Sequence, residues 1–256
     1  PHLGASTVEA QQAVSIGAAE ALLAYLRGHE VRGAVNAPGI RFDLDPLQVA
    51  FLDLAHRMGM LICPMLGGGL ESVSFEMCGP RLAKASQTIE GMGMIGLLKD
   101  RLTVPPNLVN ITHIAEQYGI ERRTVITEDN KQTGNCLAME LKSSNNAPVQ
   151  RIVGRIYDDL RPRIVEINGY HMDMIPSGTM VLLQNEDRPG MIGLVGMEFG
   201  KGAINIADMT ISRRDQTALM VLKVDAPADD AMIHRLQNCP GIFKVVRVRL
   251  PPLRSG

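Results

Sequence analysis

Asn185-Glu186-Asp187-Arg188-Pro189-Gly190-Met191-Ile192-Gly193 is the stretch whose reading decides the fold. Before it, residues 179–184 read as a strand; from Pro189, residues 189–200 read as a helix. Inside the stretch, Asp187 is placed to act as an N-cap. Pro189 has no N–H to leave unsatisfied in the first turn, and Gly190 permits close approach to the backbone.

Working toward the C-terminus, Gly202-Ala203-Ile204-Asn205-Ile206 leads into a strand over 204–212, and a second strand follows over 218–224. A helix over 229–237 and a strand over 243–248 complete the segment. The order is βαββαβ, the ferredoxin-like pattern, and residues 179–250 suffice for one such small domain. Exposed N–H groups at the helix start would favour a carboxylate, and Asp187 would suit an ammonium group. A zwitterionic amino acid matches both poles. The plainer alternative, in which Asp187 only caps and Asn205 only turns the chain, stays open on the residues alone.

Working toward the N-terminus, the period is two from Ile120 onward. Residues 123–127, 136–141, 149–157 and 163–167 are strand candidates rich in β-branched side chains. Ahead of them lie helical patterns at 88–100 and 107–118, a strand at 72–77, and a helix at 47–62 that opens on Asp45-Pro46, a cap followed by proline at the first helical position. Helices followed by a run of strands predict an α+β domain with a mainly antiparallel sheet. A further helix over 6–27, capped by Ser6 or Thr7, carries Val14, Ala18, Ala21, Leu22 and Leu26 as its expected apolar stripe. Residues 31–36 form a short extended stretch.

Composition narrows the function classes. The net charge is -1 and no polybasic run occurs, so no nucleic-acid partner is expected. No apolar run approaches a membrane span, and no signal peptide opens the chain, so a cytoplasmic protein without a membrane partner is expected. Cys63, Cys78, Cys136 and Cys239 are too scattered for a zinc site and fit thiols in a reducing compartment. Gly91-Met92-Gly93-Met94-Ile95-Gly96 satisfies G-x-G-x-x-G but falls inside a helical pattern with no strand before it. It is therefore read as a decoy rather than a dinucleotide fingerprint.

Two resemblances add to this reading. Pro1-His2-Leu3-Gly4-Ala5-Ser6-Thr7, followed by Val8-Glu9-Ala10-Gln11, resembles the end of the cofactor domain in D-2-hydroxyacid dehydrogenases, the phosphoglycerate dehydrogenases most closely. The resemblance implies that His2 matches that family's general acid/base, a role suited to an imidazole near neutral pH. The family's other catalytic parts lie upstream of the histidine, so hydride transfer by this chain alone is not expected. The chain is taken to be a fragment or incomplete copy of something longer. The Asp187-Arg188-Pro189-Gly190 segment with the Gly202-to-Ile206 turn resembles the ACT domain. By motif match, Asn185, Asp187 and Asn205 fall on effector-contact positions, and the effector implied is L-serine.

Together the resemblances imply three parts. Residues 1–37 are the stub of a catalytic domain, 38–176 an intervening domain and 177–256 an ACT domain. They also imply a parent enzyme that oxidises 3-phosphoglycerate with NAD at the entry to L-serine biosynthesis. No cofactor or metal is expected on this chain. Homo-oligomerisation through the ACT domains is expected, and phosphate or 3-phosphoglycerate is a candidate ligand of the intervening domain, with Arg151, Arg155, Arg161 and Arg163 as basic candidates. The rival reading is a stand-alone module that binds an amino acid and does no chemistry.

Overall fold

The computed structural model describes residues 7–26, 43–127 and 134–253. His2, the extended stretch at 31–36 and the expected boundary at 37/38 lie outside the described residues.

The first helix, α1 (Val8–Leu26), starts where Thr7 Oγ1 accepts the Ala10 N–H at 3.2 Å. Two members of its expected apolar stripe, Val14 and Leu22, are both 59 % exposed. Alanine, valine and leucine residues and Ile16 surround the helix instead of marking one face, so no side of it is distinctly apolar.

Helix α2 (Pro46–Ile62) begins with a complete capping box. Asp45 Oδ1 accepts the Gln48 N–H and Gln48 Oε1 accepts the Asp45 N–H, each at 3.0 Å. After one 3-10 turn (Cys63–Met65) come β1 (Leu70–Cys78), a single turn α3 (Pro80–Ala83), α4 (Ser86–Leu98) and α5 (Ile111–Gln117). Strands β2 (Glu121–Thr127), β3 (Cys136–Ser143), β4 (Gln150–Ile156), β5 (Pro162–Ile167) and β6 (Tyr170–Met174) follow. These build a six-stranded sheet in the order β2-β1-β3-β4-β5-β6. Only the β1–β2 pairing is parallel. Helices α2 and α4 cover one face, where Phe51, Leu54 and Met58 meet Phe75, Met139, Ile152 and Ile164, all fully buried.

The two helices touch backbone to backbone. A Cβ on Gly96 would collide with the His56 carbonyl, and one on Gly59 with the Gly93 carbonyl. Gly96 thus serves the packing of α4 on α2, while Gly93 makes room for Phe75 and Gly91 for Leu108, all in mid-helix, and the strand-to-helix turn that a pyrophosphate needs is not present there.

Strand β6 is an element beyond the sequence expectation. Asn168 (φ 51°) and Gly169 (φ 81°) both occupy the left-handed region between the paired residues Ile167 and Tyr170. That is the two-residue hairpin turn that Asn-Gly favours.

The rest of the chain forms β7 (Gly178–Glu186), α6 (Met191–Lys201), β8 (Ile206–Arg214), β9 (Thr217–Val224), α7 (Asp230–Gln237) and β10 (Ile242–Leu250). Their sheet runs β10-β7-β9-β8 and is antiparallel throughout, the βαββαβ arrangement expected. Val181, Leu183, Met220 and Leu222 face α6 and α7, with Phe199 and Leu236 in the same cluster. Met180, Leu182, Leu219 and Val221 point the other way and join the core of the first unit.

Arg57 fastens the two sheets. It is 1 % exposed, and its Nε meets Asp53 Oδ2 at 2.7 Å. Nη1 donates to the carbonyls of Pro176 (2.9 Å) and Pro251 (2.6 Å), and Nη2 to that of Pro252 (2.8 Å). A guanidinium tolerates such burial because its fork reaches a carboxylate and several carbonyls at once.

Candidate functional site

Strand β7 delivers Asn185 to the mouth of the second sheet, between Ala218 of β9 and Ile242 of β10. The residue is 1 % exposed. Its Nδ2 donates to the Glu186 carbonyl at 2.7 Å, which fixes the amide orientation because only the NH₂ end can face a carbonyl. Oδ1 is left buried with no hydrogen-bond partner among the described residues. A buried acceptor left unmatched costs about 1–3 kcal/mol, so this atom calls for an N–H donor.

Asn185 lines a cavity of about 300 Å³ together with Asp187, Gly190, Ile211, Arg213 and Met220. Gly190, at φ 92°, is the N-cap of α6, and no side chain caps that helix. The first-turn N–H groups of α6 therefore remain available beside the cavity. The expectation that Asp187 caps the helix is corrected here, as is the helix start at Pro189. The left-handed Gly190 delays the helix to Met191. Asp187 is held elsewhere, its backbone N–H on the Gln216 carbonyl at 2.9 Å and its Oδ1 3.3 Å from Arg213 Nε.

Asn205, placed with Asn185 and Asp187 by motif match, does not join this cavity within one chain. It precedes β8 at the end where Ile206 pairs with Val224, whereas Arg213 and Arg214, at the other end, pair with Ala218 and Thr217 beside Asp187. Nine residues of strand separate the two ends, roughly 25 Å at the usual rise. Asn205 Nδ2 instead donates to Asp225 Oδ2 at 2.7 Å. The reason is topological: β8 runs away from the helix start, and a motif read along the chain does not register that direction.

Arg213 and Ile211 were not anticipated. They stand two residues apart on β8, so strand alternation puts them on one face. Finding them from sequence would have required the register of β8 against β9.

The basic candidates of the first sheet differ among themselves. Arg151 is matched by three carboxylates, Glu76 at 3.3 Å and Glu140 and Glu166 at 3.7 Å. Arg155 and Arg163 lie directly opposite each other on β4 and β5. Arg163 pairs with Asp159 at 3.1 Å and Asp173 at 3.5 Å, yet Arg163 Nη1 and Arg155 Nε are buried without a partner among the described residues. Arg161 is exposed. Among the described residues no group of three or more His, Cys, Asp or Glu side chains is placed to hold a metal, and no helix is long and apolar enough to cross a membrane.

These features define a class: an α+β chain in which a six-stranded, largely antiparallel sheet is followed by a ferredoxin-like unit with a polar cavity at a helix start. Comparison with known proteins is specific. Residues 48–168 match the family model of the D-3-phosphoglycerate dehydrogenase intervening domain. The D-3-phosphoglycerate dehydrogenase of Bacillus subtilis is 30 % identical over 253 residues, covering 98 % of this chain and 48 % of that protein. That of Methanocaldococcus jannaschii is 31 % identical over 252 residues, covering 98 % and 47 %. The chain is similar to the C-terminal part of D-3-phosphoglycerate dehydrogenases, its residues 48–168 match their intervening domain, and it spans about half the length of the curated relatives it matches. A solved ACT domain from the GTP pyrophosphokinase of Chlorobium tepidum is similar to 28 % of this chain over 97 % of its own length, at 20 % identity and a TM-score of 0.25.

Proposed function

We propose that this chain is the regulatory and assembly part of a D-3-phosphoglycerate dehydrogenase, and that the cavity beside Asp187 binds L-serine or a similar small amino acid. The whole enzyme would oxidise 3-phosphoglycerate with NAD in the first step of L-serine biosynthesis. The parts would be the end of a catalytic domain at 1–37 with His2 as its acid/base, an intervening domain at 38–176 and an ACT domain at 177–256.

The observation that carries the reading is the buried Asn185 Oδ1, an acceptor without a donor among the described residues, beside a start of α6 that no described side chain caps. An α-ammonium group satisfies the first and an α-carboxylate the second. Asn205 enters through a second copy of the chain. β8 is an edge strand, and a two-fold pairing along such an edge is antiparallel. The far end of one β8 then comes beside the near end of the other, so Asn205 of one copy approaches the cavity of its partner. In the first unit, Arg155 and Arg163 supply unmatched N–H groups suited to phosphate or 3-phosphoglycerate.

Isothermal calorimetry of the full chain tests the central claim. L-serine is expected to give saturable heat, with affinity falling about tenfold or more in Asn185→Leu, in line with the loss of a hydrogen bond to a charged group. Unchanged binding in both Asn185→Leu and Asp187→Ala, or no heat with any small amino acid, would remove the reading.

A further inference from the structure

The Cys78 and Cys136 side chains stand directly opposite each other as the last pair of the β1–β3 ladder. Opposed residues of an antiparallel pair have Cα atoms about 4.5 or 5.5 Å apart, according to the type of pair. A disulfide spans Cα separations of about 4.4–6.8 Å. The Cα separation of either type falls within that span. The two residues also lie on the open face of the sheet. Val73, Phe75 and Met77 of β1 and Leu137 and Met139 of β3 point into the core, so alternation turns Cys78 and Cys136 the other way. Both are partly accessible.

The other two cysteines have no such arrangement. Cys63 is buried, with its thiol on the Leu97 carbonyl at 3.0 Å. Cys239 lies in the second unit, its thiol 3.4 Å from the Arg235 carbonyl.

We propose that Cys78 and Cys136 form a reversible modification site, a dithiol that closes to a cross-strand disulfide by exchange with a low-molecular-weight disulfide such as oxidised glutathione. The thiolate of Cys78 attacks one sulfur of the incoming R–S–S–R. A protein–S–S–R bond forms as the original S–S bond breaks, and R–SH leaves with a proton. The sulfur of Cys136 then displaces the second R–SH and closes the protein disulfide. Two protein thiols are oxidised, one external disulfide is reduced, and both protons leave on the released thiols.

The surroundings set that order. Burial first, and then the adjacent Cys78 thiol within hydrogen-bonding reach, push the Cys136 thiol up to about 11, with Arg155 opposing and Glu76 adding to the rise. Cys136 therefore keeps its proton near neutrality, which suits the resolving role and leaves the first attack to Cys78. The backbone is ready for the link as well. Gly79, at φ 109°, follows Cys78, and a Cβ there would collide with the Asn135 side chain. The exit of β1 and the entrance of β3 are thus already in contact.

The test equilibrates the full chain with oxidised glutathione, alkylates the remaining thiols and maps the peptides by mass. Cys78 and Cys136 are expected to lose alkylation together and to appear as one linked peptide that dithiothreitol releases. Cys63 and Cys239 should keep their label. Phenylarsine oxide, which bridges two neighbouring thiols, should bind the reduced wild-type protein one to one and block the oxidation. Cys136→Ser should stop at the mixed disulfide on Cys78. Independent alkylation of the two thiols, a glutathione adduct that persists in the wild type, or a link to Cys63 or Cys239 would each overturn the proposal. The linked-peptide and arsenical measurements use the wild type, so a poorly folded variant does not blunt them.

Discussion

The two sheets bury their strands differently. Strand β4 alternates without exception, each buried residue followed by a half-buried one, because only α2 and α4 cover the first sheet and its other face is open. In β7 the four consecutive residues Met180 to Leu183 are all buried, and in β9 the five from Ala218 to Leu222. The second sheet lies between its own helices on one side and the first unit on the other. Alternation thus reports one covered face and continuous burial reports two. The open face is where the first sheet keeps the opposed pairs Arg155–Arg163 and Cys78–Cys136. The second sheet meets the polar cavity at its strand ends, where Asn185 lies.

The largest effect that sharpens this contrast is expected for Leu182→Asp set against Val153→Asp. Leu182 is 1 % exposed and faces the first unit, so an unpaired carboxylate there should cost about 4 kcal/mol or more. Val153 is half-buried on the open face, and the same change there should cost less than about 1 kcal/mol. Urea unfolding of both variants checks this, and equal losses would show that the face opposite α2 is not open. Next comes Arg57→Met, which leaves Asp53 and three proline carbonyls without their donor. A loss of about 3 kcal/mol is expected. Two unfolding transitions in place of one would also show that the two units depend on that side chain for their coupling.

The smallest effect is a pH dependence at the α2–α4 contact. Burial, assisted by Lys99, holds the His56 imidazole below its ordinary value. Its folded pKa being lowered, the unfolded chain takes the proton first as pH falls through about 6.5. Stability is therefore whole above that pH and declines beneath it. His56→Gln should flatten the slope between neutrality and mild acid in thermal melts, and an unaltered slope would assign the acid sensitivity to other groups.

Much of this fold was legible before any coordinates. The Asp45-Pro46 start of α2 followed from side-chain chemistry within one turn, and the order of elements from β7 to β10 from changes of period. Local signals of that kind need no knowledge of neighbours. Strand β6 was equally local, since Asn168-Gly169 is a strong hairpin signal, but its short and polar Tyr170–Met174 run hid it. What the sequence could not show was direction and pairing. Asn205 stood near Asp187 by motif yet lies a strand length away. Arg213 became a neighbour of Asp187, Arg155 an opposite of Arg163 and Cys78 an opposite of Cys136 only once strand registers were known. The stripe assigned to α1 misled because apolar content was taken for an apolar side.

Arg57 has a mechanical consequence. It grips the second unit at both doors, the Pro176 carbonyl where the chain enters and the Pro251 and Pro252 carbonyls where it leaves. Entrance and exit are pinned to one point on α2, so neither end of the second unit can peel away, and Met180, Leu182, Leu219 and Val221, buried in the first unit's core, hold the rest of its sheet against turning.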